Sequence, residues 1–407
     1  MVEIVNTQTA ASRSAVRFAP ASRTVRARAN TAVAPLANVS VDLWRRLSDN
    51  AVEPNGYYLP EWESSVNAFA QGRTGVSALT AEIPEVDGSP RLIGLMPAIS
   101  AWRAYKLPIP ALVTADPYGT LGTPLLDREL ADVAVSQLMQ QARDAGAHAL
   151  ILRDLPLDGP VLAAFSRVLE ESGMRPRVLQ SHARACLDAT RDADELLRDA
   201  LGPKKLKELR RQRNRLAEHG DVVFTVATMP DEVERDLEIF LALEASGWKA
   251  KRGTALAQNE GDAAFVRRAV RDTTARGKCE IITLHAGETP VAGAIVLRHL
   301  DRAFYFKLGV DENFAKLSPG VQLTLELTRH MCADETIKMV DSTAIAGHPM
   351  IDPIWRGRLA IGDVLIPLNR YDPLIPLIRL GLSGRKSIRE PLRRIVHSIR
   401  KFQEKRT

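Results

Sequence analysis

Residues 304–327, FYFKLGVDENFAKLSPGVQLTLEL, decide the fold. A β-rich run at 304–310 enters a polar loop that ends in Pro319 and Gly320, and Val321 opens an apolar helical pattern. A strand that turns through such a loop into a helix presents backbone amides to an anion. The first N–H groups of a helix have no internal partner, and its dipole favours negative charge. Lys316 adds a mobile cation. Gly320, lacking a Cβ, predicts close approach of the backbone to a bulky ligand such as a pyrophosphate. An ordinary strand-to-helix turn has the same local pattern, so the flanking segments must decide.

Upstream stand Leu243-Glu244-Ala245-Ser246-Gly247-Trp248-Lys249 and Arg252-Gly253-Thr254-Ala255-Leu256. Downstream stand Asp341-Ser342-Thr343 and then His348-Pro349-Met350-Ile351-Asp352-Pro353-Ile354-Trp355. The loop Lys316-Leu317-Ser318-Pro319-Gly320-Val321 resembles a degenerate form of the Gln/Arg-x-x-Gly-x-Gly/Ala signature with which GNAT acyltransferases hold the pyrophosphate of coenzyme A. In their order, these segments resemble the FemAB-like branch of the GNAT superfamily. More narrowly, they are similar to acetyltransferases of the CelD/BcsL type, associated with cellulose and exopolysaccharide synthesis. The resemblance is densest over 195–370 and thinner over 40–190, where the segment 57–62 and Gly122-Thr123-Pro124-Leu125-Leu126 carry it.

The resemblance implies an α/β fold with a mixed sheet, built as two tandem GNAT-like domains. It implies acyl-CoA as co-substrate, held by Leu308, Val310, Lys316, Ser318, Gly320 and Val321, with no metal. It places Glu244, Trp248 and Lys249 along the site of a glycan or other small-molecule acceptor. The peptidoglycan-bridge FemAB enzymes use aminoacyl-tRNA instead, but the helical arm they commonly carry has no counterpart in a long heptad run here. A catalytically silent scaffold for a polysaccharide synthase is the remaining alternative.

With 407 residues the chain predicts two or three domains, and 45% apolar content suffices for their cores. No stretch approaches the ~18–20 uninterrupted apolar residues that span a bilayer. Cys186, Cys279 and Cys332 are far apart and without CxxC spacing, which supports neither a disulfide framework nor a zinc site and predicts a reducing cytoplasm. The net charge of +6 comes from the ends. Residues 1–37 hold five arginines against Glu3, and residues 378–407 hold ten basic residues against two glutamates, leaving the middle at −6. A specific nucleic-acid partner is therefore not expected.

The expected organisation is a basic tail at 1–37, domains at 38–190 and 191–375, and a basic amphipathic tail at 376–407. Residues 1–37 have the composition of a disordered segment or an organellar transit peptide. In the first domain, strands are predicted at 76–83 and 92–100, parted by the turn Asp87-Gly88-Ser89-Pro90, with a third at 149–153 between helices at 130–145 and 161–173. A single basic helix is predicted over 194–220, carrying Lys204, Lys205, Lys207, Arg210, Arg211, Arg213 and Arg215 among leucines; it is either a solvated connector or an anion-attracting surface. Beyond it, antiparallel strands precede a strand–loop–helix–strand unit, the GNAT order. In the last segment, Leu392, Ile395, Val396, Ile399 and Phe402 recur at helical spacing opposite basic residues. This fits docking on the core, or peripheral contact with an anionic membrane such as the inner face of the plasma membrane.

Acyl transfer needs a deprotonated nucleophile, donors for the developing oxyanion and a held thioester. Asp341, expected at a strand end facing the cleft, is a candidate base or a cap of the turn Asp341-Ser342-Thr343. Glu244 is a second candidate. His348 is a third: His348-x-x-x-Asp352 matches the HxxxD spacing of an unrelated CoA acyltransferase class, and histidine has a suitable intrinsic pKa. Asp352 and the Trp248-Lys249 pair complete the candidate acceptor contacts.

Overall fold

The computed structural model describes residues 33–247 and 253–382. The loop Asp87-Gly88 closes the first hairpin as the sequence predicts. Gly88 takes φ +83°, and the Asp87 carboxylate accepts from Ser89 N–H at 2.9 Å. That hairpin joins β1 (Ser77–Pro84) to β2 (Pro90–Ser100). There follow β3 (Ala111–Thr114), the two-residue β4 (Leu125–Leu126), β5 (Ala149–Pro156) and β6 (Arg177–Asp188). The second half supplies β7 (Val222–Ala227), β8 (Cys279–Ala286), β9 (Thr289–His299), β10 (Arg302–Val310), β11 (Met339–Asp341) and β12 (Gly357–Pro367).

All join one mixed sheet in the order β1-β2-β3-β5-β12-β6-β11-β10-β9-β8-β7, with β4 beside β2. Among the described strands only β3–β5 and β10–β11 pair in parallel. Strand β12 returns from the far end of the chain to lie between β5 and β6. The sheet therefore runs without a break across residue 190, where the sequence suggested a domain boundary.

Helices cover both faces. In the first half these are α1 (Val41–Asp49), α2 (Pro60–Phe69), α3 (Ala101–Tyr105), α4 (Ala131–Asp144) and α5 (Pro160–Glu171). In the second half they are α6 (Ala193–Leu216), α7 (Pro230–Ser246), α8 (Glu260–Thr274) and α9 (Pro319–Ala333). Helices α4 and α5 bury Leu138, Phe165 and Leu169 against Ile93, Leu152 and Ile366. In the second half α9 buries Leu323, Leu327 and Met331 against β8–β10.

A third core joins the halves. Tyr57 and Trp62 from the first pack on Phe265, Phe304 and Phe306 from the second, with ring centroids 4.9–6.0 Å apart. The Trp62 indole donates to Pro117 O at 2.9 Å. Burying such a ring is worth about 1.5–3 kcal/mol, so this seam makes the halves one folding unit.

The predicted helix at 194–220 is corrected. Asp192 caps it, accepting from Glu195 N–H at 2.7 Å, but Gly202 takes φ +70° and ψ 166° just before Pro203. Proline disfavours helical geometry in the preceding residue, and only glycine reaches that conformation cheaply. Two helical pieces therefore meet at 202–203. Strands β3 and β6 were missed. Among the described residues no helix is long and apolar enough to cross a membrane. The amphipathic stripe at 392–402 and most of the two tails lie outside the described residues.

Candidate active site

Strands β10 and β11 stay paired only from Arg302↔Met339 to Phe304↔Asp341 and then part. Just past that point β10 bulges: Tyr305 pairs with Val296 and Lys307 with Ile295, leaving Phe306 as an extra residue. The gap is bridged by Thr343, whose hydroxyl donates to Tyr305 O at 2.8 Å. Thr343 holds φ +49°, an unfavourable conformation for a β-branched residue, fixed in part by its N–H donating to Asp341 at 2.8 Å.

Lys307 and Gly309 point to the α7 face of the sheet. A Cβ on Gly309 would sit 2.9 Å from Glu244 N, so glycine here lets α7 lie directly on the strand. This brings the fully buried Glu244 carboxylate to Lys307, with Oε1 3.2 Å from Nζ, while Oε2 accepts from Leu256 N–H at 2.9 Å. The Leu256 contact explains the neighbouring Gly-Thr-Ala-Leu motif: its last amide orients the acid. Lys307 lies 5.5 Å from the centre of the Tyr118 ring, and Tyr118 donates its hydroxyl to Asp262 at 2.6 Å. Tyr118 and Lys307 were missed by sequence reasoning. The available signal for the second was a lysine inside an otherwise apolar strand.

Leu308 and Val310 face α9 instead. A Cβ on Gly320 would lie 3.0 Å from Leu308, 3.1 Å from Val310 and 3.4 Å from the Met350 sulfur. The missing side chain of Gly320 therefore admits the protein's own strand and the 348–352 loop. Residues 312–317 form a 3-10 turn, Ser318 is left-handed at φ +53°, and Ser318 O accepts from both Val321 and Gln322 N–H at 3.0 and 3.1 Å. Pro319 has no N–H, so the start of α9 offers fewer amides than the sequence implied. Lys316 is exposed beside it.

Asp341, expected to face the cleft, is instead wholly buried: its Oδ2 lies 2.5 Å from the equally buried Arg184 guanidinium and its Oδ1 caps Thr343. Arg184 also donates to Thr120, whose hydroxyl donates to Thr343 O at 2.9 Å. The first half thus inserts its 115–124 loop beside the β10–β11 gap. His348 is half-buried and its Nδ1 faces the amides of Met350 and Ile351 at 3.4 Å, so it caps its own turn. Burial holds the imidazole below its usual pKa, with Asp352 opposing. Asp352 pairs loosely with Arg358 at 3.6 Å. Trp248 and Lys249 lie outside the described residues.

Among those residues no group of His, Cys, Asp or Glu is arranged to hold a metal ion. The structure thus brings Glu244 to the bulge, and Gly320, Leu308, Val310 and the His348 loop together on the other face.

Residues 203–347 match the family model described as an acetyltransferase (GNAT) domain. The crystal structure of FemX superposes with a TM-score of 0.54 at 11% identity, over 84% of this chain and 98% of FemX. A conserved protein of unknown function from Bacteroides thetaiotaomicron superposes with a TM-score of 0.50 at 15% identity, over 81% of this chain and 98% of its own. No curated protein sequence matches. The fold is that of the GNAT acyltransferases, and at these identities the likeness to solved structures is one of fold.

Proposed function

We propose that the protein is an acyltransferase of the CelD/BcsL type that moves an acyl group from coenzyme A to an amine or hydroxyl of a sugar or exopolysaccharide precursor. The observation that carries this reading is the buried Glu244–Lys307 pair at the β10 bulge, beside the point where β10 and β11 part. The acceptor's nitrogen or oxygen bonds to the acyl carbon, the C–S bond breaks, and the acceptor proton passes to Glu244. The leaving thiolate takes a proton from solvent. Lys307 offsets the cost of burying the Glu244 charge. Trp248, Lys249 and Asp352 are assigned to the acceptor, and Lys316 and Ser318 to the donor phosphates. Asp341 is assigned a positioning role through Thr343.

The test is Glu244→Gln. Release of CoA thiol from acetyl-CoA in the presence of glucosamine should fall by roughly 10²–10⁴-fold, the usual weight of a general base, while acetyl-CoA binding by calorimetry persists. Unchanged turnover removes Glu244 from the chemistry. Failure of the unmodified protein to bind acetyl-CoA removes the CoA reading altogether.

One observation favours an aminoacyl-tRNA donor as the second reading. Lys204, Lys205, Lys207, Arg210 and Arg211 are exposed on α6, which packs on α9, the Gln322 amide donating to Leu209 O at 2.9 Å. A basic helix along a helix start with few spare amides suits a polyanion larger than CoA. A tRNA mobility shift without acetyl-CoA binding selects this reading; binding of neither leaves a silent scaffold.

A further inference from the structure

At the carboxyl end of β3 and β5, on the first half, lies a cavity of about 250 Å³ lined by Arg73, Arg103, Arg153 and Asp116 over an apolar floor of Val76 and Ile99. Crevices at the carboxyl ends of parallel strands are where α/β sheets place ligands. Each arginine is held by backbone. Arg103 donates to Gly75 O at 2.8 Å and to the Gly72 and Thr74 carbonyls. Arg153 donates twice to Thr114 O, at 3.1 and 2.8 Å. Arg73 pairs with Asp116 at 3.1 Å and stacks over the Tyr118 ring at 4.1 Å, while its buried Nε has no partner.

The charges do not balance. Among the described residues Asp116 is the one acid lining the cavity, against three arginines. Behind it lies Glu63, fully buried with neither oxygen hydrogen-bonded. Burial, and then the charge of Asp116, hold its carboxyl well above the usual carboxylate range, favouring the uncharged form, with Arg73 opposing. Three guanidiniums against one acid, fixed in place by backbone carbonyls, leave donors such as Arg153 Nη1 and the buried Arg73 Nε for the oxygens of a phosphoryl group. The Tyr118 ring links this cavity to Lys307: Arg73 lies 4.1 Å from its centre and Lys307 5.5 Å.

We propose that this cavity binds a phosphate monoester dianion on the acceptor, so that the acyl acceptor is a phosphorylated compound whose nucleophile reaches past Tyr118 to the Glu244–Lys307 pair. This rests on the acyltransferase reading for what happens at the bulge, but the phosphate site stands on its own geometry.

The experiment is calorimetry with glucose 1-phosphate, inorganic phosphate and, separately, acetyl-CoA, on the unmodified chain and on Arg103→Gln, Arg103→Lys and Arg153→Gln. Glucose 1-phosphate should bind the unmodified protein and lose at least tenfold in affinity in both glutamine variants. Arg103→Lys should recover part of the loss, and acetyl-CoA affinity should stay constant. A parallel flotation assay with phosphatidic acid vesicles separates a soluble from a lipid source: binding there that depends on Arg103 assigns the phosphate to a lipid. Absence of glucose 1-phosphate, phosphate and phosphatidic acid binding overturns the proposal, as does equal binding by folded glutamine variants. Phosphate binding that needs Arg103 with no acetyl-CoA binding keeps the cavity assignment and sinks the acyltransferase reading instead.

Discussion

At the ends of β3 and β10 the sheet performs the same manoeuvre with different side chains. Each strand makes three parallel pairs, 111–113 with 149–151 and 302–304 with 339–341, and then leaves its neighbour. In each case the residue two past the last pair donates a side-chain hydrogen bond to the carbonyl of the first unpaired residue opposite. It is Arg153 to Thr114 O in one half and Thr343 to Tyr305 O in the other. Nearby sits a residue with positive φ, Asp154 at +48° and Thr343 itself at +49°. A guanidinium closes the first gap and leaves positive charge around a cavity. A hydroxyl closes the second and leaves a bulged strand beside a buried acid. One backbone device thus ends beside an arginine-lined crevice in one half and beside a buried glutamate in the other.

The comparison breaks most violently at Asp341. Asp341→Ala strands Arg184 as an uncompensated buried charge and should cost about 3–5 kcal/mol in chemical denaturation. Loss below about 1 kcal/mol would show that the ion pair is not what holds the second gap. Its counterpart in the first gap is gentler, as the last variant below shows.

The pH dependence of stability separates the two sides of the seam. Burial raises Glu53, whose carboxyl accepts from Val161 N–H in the first turn of α5, to about 7 from 4.5. A raised acid binds its proton more tightly when folded, so its contribution is present below pH 4.5 and is lost as pH rises through about 7. The loss is on the order of 3 kcal/mol, and Glu53→Gln should abolish it. Burial lowers His299 in β9 to about 4; its neutral ring bridges Ser48 O and Asn55 N–H at 2.8 Å each. That contribution is present above about pH 6.5 and lost as pH falls through 4. Over pH 4.5–6.5 the two contributions run in opposite directions and nearly cancel, so denaturation at pH 4.5, 6 and 8 should change little in the unmodified chain, whereas in Glu53→Gln stability should rise clearly from pH 4.5 to 6.

Gly320→Val should lower stability by about 1–3 kcal/mol through overlap with Leu308 and Val310, before any effect on donor binding is considered. An unaltered denaturation midpoint would favour the ligand-approach reading of that glycine. Smallest of all, Arg153→Gln should cost roughly 1 kcal/mol in chemical denaturation, the worth of its hydrogen bonds to Thr114 O.

Much of this was legible. The Asp87-Gly88 hairpin and the strand–loop–helix at 304–327 follow from turn chemistry and periodicity alone. Strand β6 was not legible: its first seven residues are largely exposed, apolar Val178 and Ala183 included, and Arg184 looks like a surface residue until Asp341, distant in sequence, neutralises it. The same pairing hid the role of Asp341, which reads locally as either catalyst or cap. Glu244 could be singled out because its motif is contiguous. Tyr118 could not, because it meets Lys307 only after the halves close on the aromatic seam, nor could Arg73, which that ring places.

The placement of β12 has a consequence for how the chain is made. Strands β5 and β6 both wait for a partner synthesised roughly two hundred residues later, and pairings of such separation form slowly. A nascent chain that has emerged only as far as residue 356 exposes two unpaired strand edges in the middle of its sheet, a template for pairing with other chains. The ribosome therefore releases a first half that cannot finish folding until the second has been translated.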